Sequence, residues 1–194
     1  MENCKILKLF TGPMKSGKSY HLLEAIGNDN KEDIIIKSNK DTRRKGIYSR
    51  KELKYHETTD VVGSLMPLLD DVDFIERLKK ANNVFIDEAQ FFDDLYEFVI
   101  SIRSQVNIYM AGLNLNYKKE WFHSVEKVHS INEIEVIELK ANCDDCKKDN
   151  ACYSVLLIDS EDLIFIGDTE YGVLCQECDK KRECNKNEYD KKRE

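Results

Sequence analysis

The sequence predicts an α/β fold in which helices cover both faces of a mostly parallel sheet, followed by a small β domain that binds zinc. Three observations lead to this prediction. Short apolar strands alternate with amphipathic helices over the N-terminal part of the chain. A glycine-bounded loop that ends in Lys18 and Ser19 joins the first strand to the first helix. Two Cys-x-x-Cys pairs begin at Cys143 and Cys175.

The composition suits a soluble globular protein with one main core and a small appendage. The chain has 194 residues, of which 41% are hydrophobic and 35% are charged. Its formal net charge of -7 argues against broad binding to nucleic acid, so we expect no stable nucleic-acid partner. No apolar run approaches the ~20 residues of a membrane span, and the first residues do not resemble a signal sequence. We therefore expect a cytoplasmic protein without a membrane partner.

The first strand, predicted over residues 5–10, and the first helix, predicted over residues 20–26, flank a loop typical of phosphate-binding P-loops. Gly12 and Gly17 allow the tight path that points backbone N–H groups at a polyphosphate, and the helix N-terminus adds partial positive charge. We expect Lys18 to reach the β- and γ-phosphates and the Ser19 hydroxyl to ligate Mg²⁺. The predicted ATP-binding loop comprises Gly12, Pro13, Met14, Lys15, Ser16, Gly17, Lys18 and Ser19. This motif places the fold in the P-loop, RecA-like class.

Further strands and helices alternate after the P-loop, and signals are weak only over residues 52–69, where Pro67 breaks any long helix. The ligand site should lie at the carboxyl ends of the strands, where the P-loop, Asp87 and Gly112 emerge. The predicted strands span residues 33–37, 83–87 and 106–112, and the predicted helices span residues 73–80 and 93–103.

A basic stretch follows the second strand, over residues 38–51. Charge runs of this kind are usually solvated loops. Because this loop leaves a strand beside the nucleotide site, Arg43 or Arg50 could equally contact a phosphate. Both interpretations stay open, and Arg43 is the candidate for a phosphate contact.

Asp87 and Glu88 follow a buried strand that we expect to neighbour the P-loop strand. Asp87 at the strand end can hold Mg²⁺, directly or through water. Glu88 can orient a water for hydrolysis or accept a proton from a substrate hydroxyl as general base. We include Asp87, Glu88, Ala89 and Gln90 in the predicted ATP site.

The chain contains seven cysteines, which metal explains better than disulfides in a reducing compartment. Cys143, Cys146, Cys175 and Cys178 supply the four soft ligands of a tetrahedral zinc. Four thiolates leave no open coordination position, so we expect a structural zinc. Cys4, Cys152 and Cys184 fall outside the pairs and are predicted to be ordinary thiols. The loop that the metal closes could fold over the site as a lid.

Three regions follow from these patterns. Residues 1–126 form the predicted nucleotide-binding domain, and residues 127–180 form the zinc-binding lid domain. Within the second region, short strands are predicted over residues 134–139 and 162–166. The mostly charged residues 181–194 are predicted to be a disordered tail.

Taken together, these motifs resemble the type II thymidine kinases, the zinc-containing family of the cytosol. Each piece alone is unspecific, but their combination in the family's order from residue 5 to about residue 178 is specific. The matching segments are Gly12-Pro13-Met14-x-Ser16-Gly17-Lys18-Ser19, Asp41-Thr42-Arg43, Ile86-Asp87-Glu88-Ala89-Gln90-Phe91-Phe92, Ala111-Gly112-Leu113, Ala141-x-Cys143-x-x-Cys146, Ala151-x-Tyr153-Ser154, Ile166-Gly167 followed by Tyr171, and Cys175-x-x-Cys178.

The resemblance implies transfer of the γ-phosphoryl group of ATP to the 5′-hydroxyl of thymidine, with deoxyuridine as another acceptor. It assigns the general base to Glu88 and the handling of Mg²⁺ to Ser19 and Asp87. It further implies a homotetramer, feedback inhibition by thymidine triphosphate, and a lasso-like lid that reads the base. The substrate-binding residues implied are Phe91, Leu113, Tyr117, Phe122, Ser154, Leu163, Ile164, Phe165, Ile166, Gly167 and Tyr171.

The sequence departs from the family's pattern in three places. Lys15 stands where the family usually has an aromatic residue, and residues 114–117 replace an acidic, glycine-containing turn. Val155 and Leu156 follow Ser154 where a basic residue is common. These departures affect the pocket and the contacts between loop and phosphate, but they leave Lys18, Ser19, Asp87 and Glu88 in place.

Two other functions remain as alternatives. Asp87-Glu88-Ala89-Gln90 also resembles the acidic motif of ATP-driven nucleic-acid motors, which normally need two P-loop domains and a basic surface. A non-enzymatic zinc-ribbon module on a degenerate P-loop would not require the intact Lys18, Ser19 and Asp87.

Overall fold

The computed structural model describes residues 5–27, 32–42, 46–49, 53–158, 167 and 169–184, and the backbone of residues 185–190. Within these ranges, two turns of 3₁₀ helix span Met66–Asp70 and Ala89–Phe91. The helices are α1 (Lys18–Ile26), α2 (Val72–Lys80), α3 (Leu95–Ile102), α4 (His123–His129) and α5 (Gln176–Asp190). The strands are β1 (Leu7–Thr11), β2 (Ile34–Ser38), β3 (Ile47–Tyr48), β4 (Tyr55–His56), β5 (Asp60–Val62), β6 (Asn83–Asp87), β7 (Asn107–Gly112), β8 (Glu135–Glu138), β9 (Ala141–Asn142), β10 (Asp149–Ala151), β11 (Tyr153–Leu156) and β12 (Tyr171–Leu174).

Six strands form the central sheet in the spatial order β5-β2-β6-β7-β1-β8, and every pair in it is parallel. The predicted parallel sheet is therefore confirmed. One expectation about its order is wrong, because β7 lies between β6 and the P-loop strand β1. Strands β3 and β4 form a separate antiparallel hairpin.

Side chains that alternate along each strand build two cores on opposite faces of the sheet. On one face, Ile35 and Phe85 pack with Leu22 and Leu23 of α1. On the other face, the neighbouring strand positions pack against α2, α3 and α4. The helices therefore cover both faces, as the sequence predicts.

The sheet extends beyond residue 126, where the sequence places the end of the first domain. Strand β8 lies at the edge of the sheet and pairs in parallel with β1, from Lys8 opposite Glu135 to Thr11 opposite Glu138. The preceding helix α4, which sequence periodicity did not reveal, buries Val125 and Val128. It is too short for its two apolar positions to stand out from the polar residues between them.

The cysteine subdomain, residues 141–190, packs beside this layer. It consists of the two antiparallel pairs β9–β10 and β11–β12 and the helix α5. Its small core includes three of the paired cysteines, and Met14 of the P-loop packs against it. The strand predicted over residues 162–166 lies outside the described residues.

Helix α5 continues to Asp190, within the region where the sequence predicts a disordered tail from residue 181, and residues 191–194 lie outside the described residues. Two side chains join its second turn to the rest of the protein. Arg182 donates from Nη2 to the carbonyl oxygen of Leu156 at 2.8 Å, and Glu183 pairs with Lys119. These tertiary contacts stabilise a helix whose composition alone indicates disorder. In the described residues, none of the helices has the length and apolar character required to cross a membrane.

One half-buried carboxylate joins two elements of the larger core. Asp94 precedes α3 but does not cap it with its side chain. Its Oδ2 instead accepts hydrogen bonds from the backbone N–H groups of Leu65 at 2.8 Å and Met66 at 2.7 Å, and from the Ser64 hydroxyl. The carboxylate thus holds the turn before α2 against the start of α3.

Asp94→Ala should lower the free energy of unfolding by about 2–3 kcal/mol, because the backbone N–H groups of Leu65 and Met66 would lose a charged hydrogen-bond partner. Urea unfolding of this variant, compared with Asp93→Ala as the control, checks the prediction. Asp93 is the exposed neighbour and its replacement should change stability by less than about 0.5 kcal/mol. Equal losses in the two variants would contradict the role of Asp94.

Candidate active site

The P-loop follows β1 in a backbone path that requires glycine. Gly12 has φ 141° and Gly17 has φ 87°, both in the region that side chains disfavour. A Cβ atom at Gly12 would lie 2.2 Å from the carbonyl oxygen of Leu139. Leu139 follows β8 and its N–H donates to the carbonyl of Thr11 at 2.7 Å. Any side chain at Gly12 would therefore displace the loop from the sheet edge.

The polar side chains of the loop are arranged as a phosphate site requires. The Lys18 ammonium donates to the carbonyl oxygen of Pro13 at 2.6 Å, so it folds back over the loop. The Ser16 hydroxyl is buried and has no hydrogen-bond partner among the described residues. A buried polar atom without a partner is costly, and a phosphate oxygen would satisfy it. These contacts suit a polyphosphate at the N-terminus of α1.

Ser19 and Asp87 meet at the carboxyl ends of the strands. The Ser19 hydroxyl donates to Asp87 Oδ1 at 3.3 Å, although β7 separates β6 from β1, the strand that leads into the P-loop. Asp87 is 4% exposed, and its burial together with the negative charge of Glu88 raises its pKa to about 7. The Ser19 and Asp87 oxygen atoms lie within hydrogen-bond distance of each other and are the kind of ligand that Mg²⁺ prefers. A Mg²⁺ ion there would favour the ionised form of Asp87.

A buried ion pair lies next to Asp87 and was not assigned a role from the sequence. Lys37 is the register partner of Asp87 across β2 and β6. Its ammonium lies 3.1 Å from Asp41 Oδ2 and donates to the Gly46 carbonyl at 3.3 Å. The positive charge of Lys37 lowers the pKa of Asp87 against the larger effects of burial and Glu88. In the sequence, the only indication of this pair was the segment Asp41-Thr42-Arg43, which matches the family's pattern.

Glu88 leaves the sheet in a left-handed conformation, with φ 52° and ψ 44°. Non-glycine residues adopt this conformation at a cost, and such strain is concentrated at functional sites. The buried Gln90 amide donates from Nε2 to Glu88 Oε2 at 2.6 Å, while its Oε1 accepts the N–H of Leu113 at 3.0 Å. Gln90 therefore orients the Glu88 carboxylate relative to the end of β7. Ala89 is buried beside it.

The four residues implied for the base pocket lie on the two segments that follow β6 and β7. Phe91 is buried, and its carbonyl oxygen accepts from Lys40 Nζ at 3.3 Å. Leu113, Tyr117 and Phe122 are half-buried. Two of these residues connect to Glu88: the Phe91 N–H donates to the Glu88 carbonyl oxygen at 3.0 Å, and Leu113 is linked to Glu88 through Gln90.

The residues implied for the lid are described only in part. Ser154 is buried, and its hydroxyl accepts the N–H of Met14 at 2.9 Å, so it contacts the P-loop. Tyr171 is buried at the start of β12, and Gly167 is half-buried. Leu163, Ile164, Phe165 and Ile166 lie outside the described residues, as does Arg43 on the basic stretch.

Lys15, the departure from the family's pattern within the P-loop, contacts the cysteine subdomain. Its ammonium lies 3.2 Å from Asp144 Oδ2 and 3.3 Å from the carbonyl oxygen of Tyr171. Asp144 also accepts the N–H of Val173 at 2.8 Å. Lys15 is therefore directed at the turn between Cys143 and Cys146.

The four paired cysteines form one cluster, as the sequence predicts. The sulfur atoms of Cys143, Cys146, Cys175 and Cys178 all lie within 4.8 Å of one another. Cys146 and Cys175 are 3.8 Å apart, which matches the edge of about 3.8 Å expected for a tetrahedron with Zn–S bonds near 2.3 Å. Burial opposes ionisation of Cys143, but backbone N–H groups donate hydrogen bonds to its sulfur and lower its pKa to about 6. The cluster can therefore hold a metal ion.

The fold and the site define a P-loop α/β protein with a Cys₄ subdomain that can hold a metal ion. The family profile described as thymidine kinase matches residues 5–179. The chain therefore belongs to the thymidine kinase family and is a kinase.

Several relatives have this name. A thymidine kinase of Pseudothermotoga lettingae is 32% identical over 179 residues, covering 89% of this chain and 93% of its own length. One from African swine fever virus (isolate Tick/South Africa/Pretoriuskop Pr4/1996) is 32% identical, with 90% and 93% covered. Thymidine kinase 1 of Dictyostelium discoideum is 29% identical, with 89% and 76% covered.

Among solved structures, a Pif1 helicase from Bacteroides is similar at a TM-score of 0.44 and 15% identity. The match covers 71% of this chain and 39% of the helicase chain. This likeness is too low to carry an argument about function.

The burial of Asp87 makes stability depend on pH. Its pKa is raised from 3.8 to about 7, so the native state binds a proton that the unfolded chain has released between these values. The contribution of Asp87 to the free energy of unfolding should therefore fall as pH rises from about 4 to about 7. Asp87→Asn should weaken this dependence, whereas Asp93→Asn, the same change at an exposed site, should not. Urea unfolding without Mg²⁺ at several pH values checks this, and an unchanged slope in Asp87→Asn would contradict it.

Proposed function

We propose that this protein transfers the γ-phosphoryl group of ATP to the 5′-hydroxyl of thymidine, with deoxyuridine as a second acceptor. The observation that carries the proposal is the placement of Glu88. It lies one residue beyond Asp87, and Asp87 contacts the P-loop through Ser19. Gln90 connects Glu88 to Leu113 on the other side. Membership of the thymidine kinase family supports thymidine as the acceptor.

The P-loop supplies the site for ATP in this proposal. Phosphoryl transfer depends mainly on positioning and on neutralising negative charge. The backbone N–H groups between Gly12 and Ser19, the Ser16 hydroxyl and the Lys18 ammonium offer donors for the phosphates. Lys18 would exchange its contact with the Pro13 carbonyl for the β- and γ-phosphates. Arg43 remains the candidate for an additional phosphate contact.

Ser19 and Asp87 are the residues that would hold Mg²⁺. The ion supplies positive charge that stabilises the negative charge on the phosphate oxygens. Burial disfavours the charge on Asp87, so an adjacent cation would favour this carboxylate's ionised form.

Glu88 is the proposed general base. A 5′-hydroxyl is a weak nucleophile at neutral pH, and a positioned carboxylate that accepts its proton typically contributes ~10²–10⁴-fold in rate. The hydrogen bond from Gln90 holds Oε2 of Glu88 and limits rotation of the carboxylate. Phe91, Leu113, Tyr117 and Phe122 would pack around the base. Ser154, Tyr171 and residues 163–167 would form the lid over it.

The Cys₄ cluster is proposed to hold a structural zinc, because four thiolates leave no open coordination position. We further propose a cytoplasmic enzyme of nucleotide salvage that assembles as a homotetramer and is inhibited by thymidine triphosphate. A P-loop ATPase that acts on nucleic acid is the alternative. ATP consumption measured with thymidine, with single-stranded DNA and with neither separates the two functions.

The purified protein should contain about one zinc per chain. Cys143→Ser should remove most of the metal and lower the melting temperature by roughly 10 °C, since metal binding to such clusters contributes directly to folding. Metal analysis and thermal unfolding check this, with Cys184→Ser as a control because Cys184 is an exposed thiol outside the cluster. A protein free of zinc and iron would contradict the assignment.

Glu88→Gln should keep affinity for ATP and thymidine but lower kcat by at least about 10²-fold, because the amide keeps the shape and cannot take the proton. Asp87→Asn should instead raise the Mg²⁺ concentration needed for activity and also lower the rate. Steady-state kinetics with Mg²⁺ titrations, and thymidine affinity by calorimetry, distinguish the two residues. If Glu88→Gln kept more than about a tenth of the wild-type kcat, Glu88 would not be the base.

A further inference from the structure

The segment between β7 and α4, residues 113–122, is here called the β7–α4 loop. It carries three of the four residues proposed to surround the base, namely Leu113, Tyr117 and Phe122. Its sequence departs from the family's pattern over residues 114–117. The contacts that hold this loop therefore bear on how the protein binds its nucleoside.

The loop is tightly folded around Asn116. The Asn116 side-chain oxygen accepts the N–H groups of Lys118 at 2.9 Å and Glu120 at 3.0 Å. Leu115 forms an isolated antiparallel bridge with Trp121. Lys119 at the tip has φ 67°, a left-handed conformation that is strained for a lysine. Contacts made by this residue must offset that strain.

The Lys119 side chain crosses from the loop to the cysteine subdomain. Its ammonium forms ion pairs with Asp179 and Glu183 of α5 and lies 5.1 Å from the centre of the Tyr153 ring on β11. The Asp179 side chain is only 6% exposed, whereas that of Glu183 is 59% exposed. The Asp179 carboxylate is therefore buried while the Lys119 side chain is 30% exposed, and the contact with Glu183 is at the surface.

The position of Asp179 is set by the Cys₄ cluster. Asp179 directly follows Cys178, and its N–H donates to the carbonyl oxygen of Cys175 at 3.0 Å. Arg182, one turn further along α5, donates to the carbonyl of Leu156. The first turns of α5 are thus tied to β11 and to two cysteines of the cluster, so they offer a rigid support.

We propose that Lys119 is a positioning residue, and that its contacts with Asp179 and Glu183 make α5 the support that holds the β7–α4 loop in its nucleoside-binding form. The inference rests on the proposed function, because it concerns the nucleoside site. It assigns α5 a role in substrate affinity and connects the metal-binding cluster to the base pocket. The P-loop, which binds the other substrate, does not carry these contacts.

Lys119→Met keeps the length and apolar stem of the side chain and removes its charge. It should raise the KM for thymidine by roughly tenfold, because a charged hydrogen bond to a buried carboxylate is lost. The KM for ATP should stay within about twofold. Asp179→Asn should have a smaller effect on this KM, because it leaves the ion pair with Glu183. Glu183→Gln should have the smallest effect, because the Glu183 side chain is the more exposed partner. Lys119→Arg, which keeps the charge, should restore most of the thymidine affinity.

Trp121 provides a readout that needs no substrate. It is the only tryptophan of the chain, and its ring lies 5.1 Å from that of His129. Acrylamide quenching of its fluorescence in the nucleoside-free protein should increase in Lys119→Met and return to the wild-type level in Lys119→Arg. Zinc content, measured in each variant, should stay at the wild-type value.

Lys127→Met is the matched control. Lys127 on α4 also pairs with a carboxylate, Glu97, at 3.5 Å and lies 5.8 Å from the centre of an aromatic ring, Tyr96. Its replacement removes the same charge and the same kinds of contact outside the β7–α4 loop. It should change neither the thymidine KM nor the quenching of Trp121.

Unchanged quenching and an unchanged thymidine KM in Lys119→Met would overturn the inference. Equal increases in the KM values for thymidine and ATP would also overturn it, because a general loss of structure would explain them. A wild-type protein that does not phosphorylate thymidine would instead overturn the proposed function. The quenching comparison would then still decide whether Lys119 anchors the loop.

Discussion

The hydrogen bond between Ser19 and Asp87 is the contact on which the site depends. The two residues are 68 positions apart in sequence, and β6 is not a neighbour of β1, the strand before the P-loop, yet the two oxygen atoms lie 3.3 Å apart. Parallel strands end at one edge of the sheet, and the N-terminus of α1 extends across the end of β7 to reach β6. Glu88 and Gln90 take their positions from this edge, so the acid pair and the P-loop form one site.

The cysteine subdomain completes the site through contacts on two sides. Ser154, Asp144 and the Tyr171 carbonyl meet Met14 and Lys15 of the P-loop. On the other side, Asp179 and Glu183 meet Lys119 of the β7–α4 loop. A subdomain of short strands has too little core to hold such contacts alone. The Cys₄ cluster at its centre offers the metal site that would stabilise it.

The sequence predicted the central fold because local signals and tertiary structure agree there. The strands that end at Asp87 and Gly112 are apolar and short, and the helices beside them bury one face, so periodicity was sufficient. Glycines at positions 12 and 17 and the spacing of the cysteines are equally local signals. They identified the P-loop, the acid pair and the Cys₄ cluster, each of which the structure brings together as a group of neighbouring atoms.

Tertiary structure alone decided where these elements lie relative to one another. Contacts between residues far apart in sequence place β7 between β6 and β1 and add β8 to the sheet. Such contacts also hold α5 as a helix. The same is true of the buried Lys37–Asp41 pair, the direction of Lys15 towards Asp144, and the anchoring of Lys119 on α5. A charged side chain gives the same local signal whether it is solvated or paired. Its partner is therefore determined only by the tertiary structure that brings the two charges together.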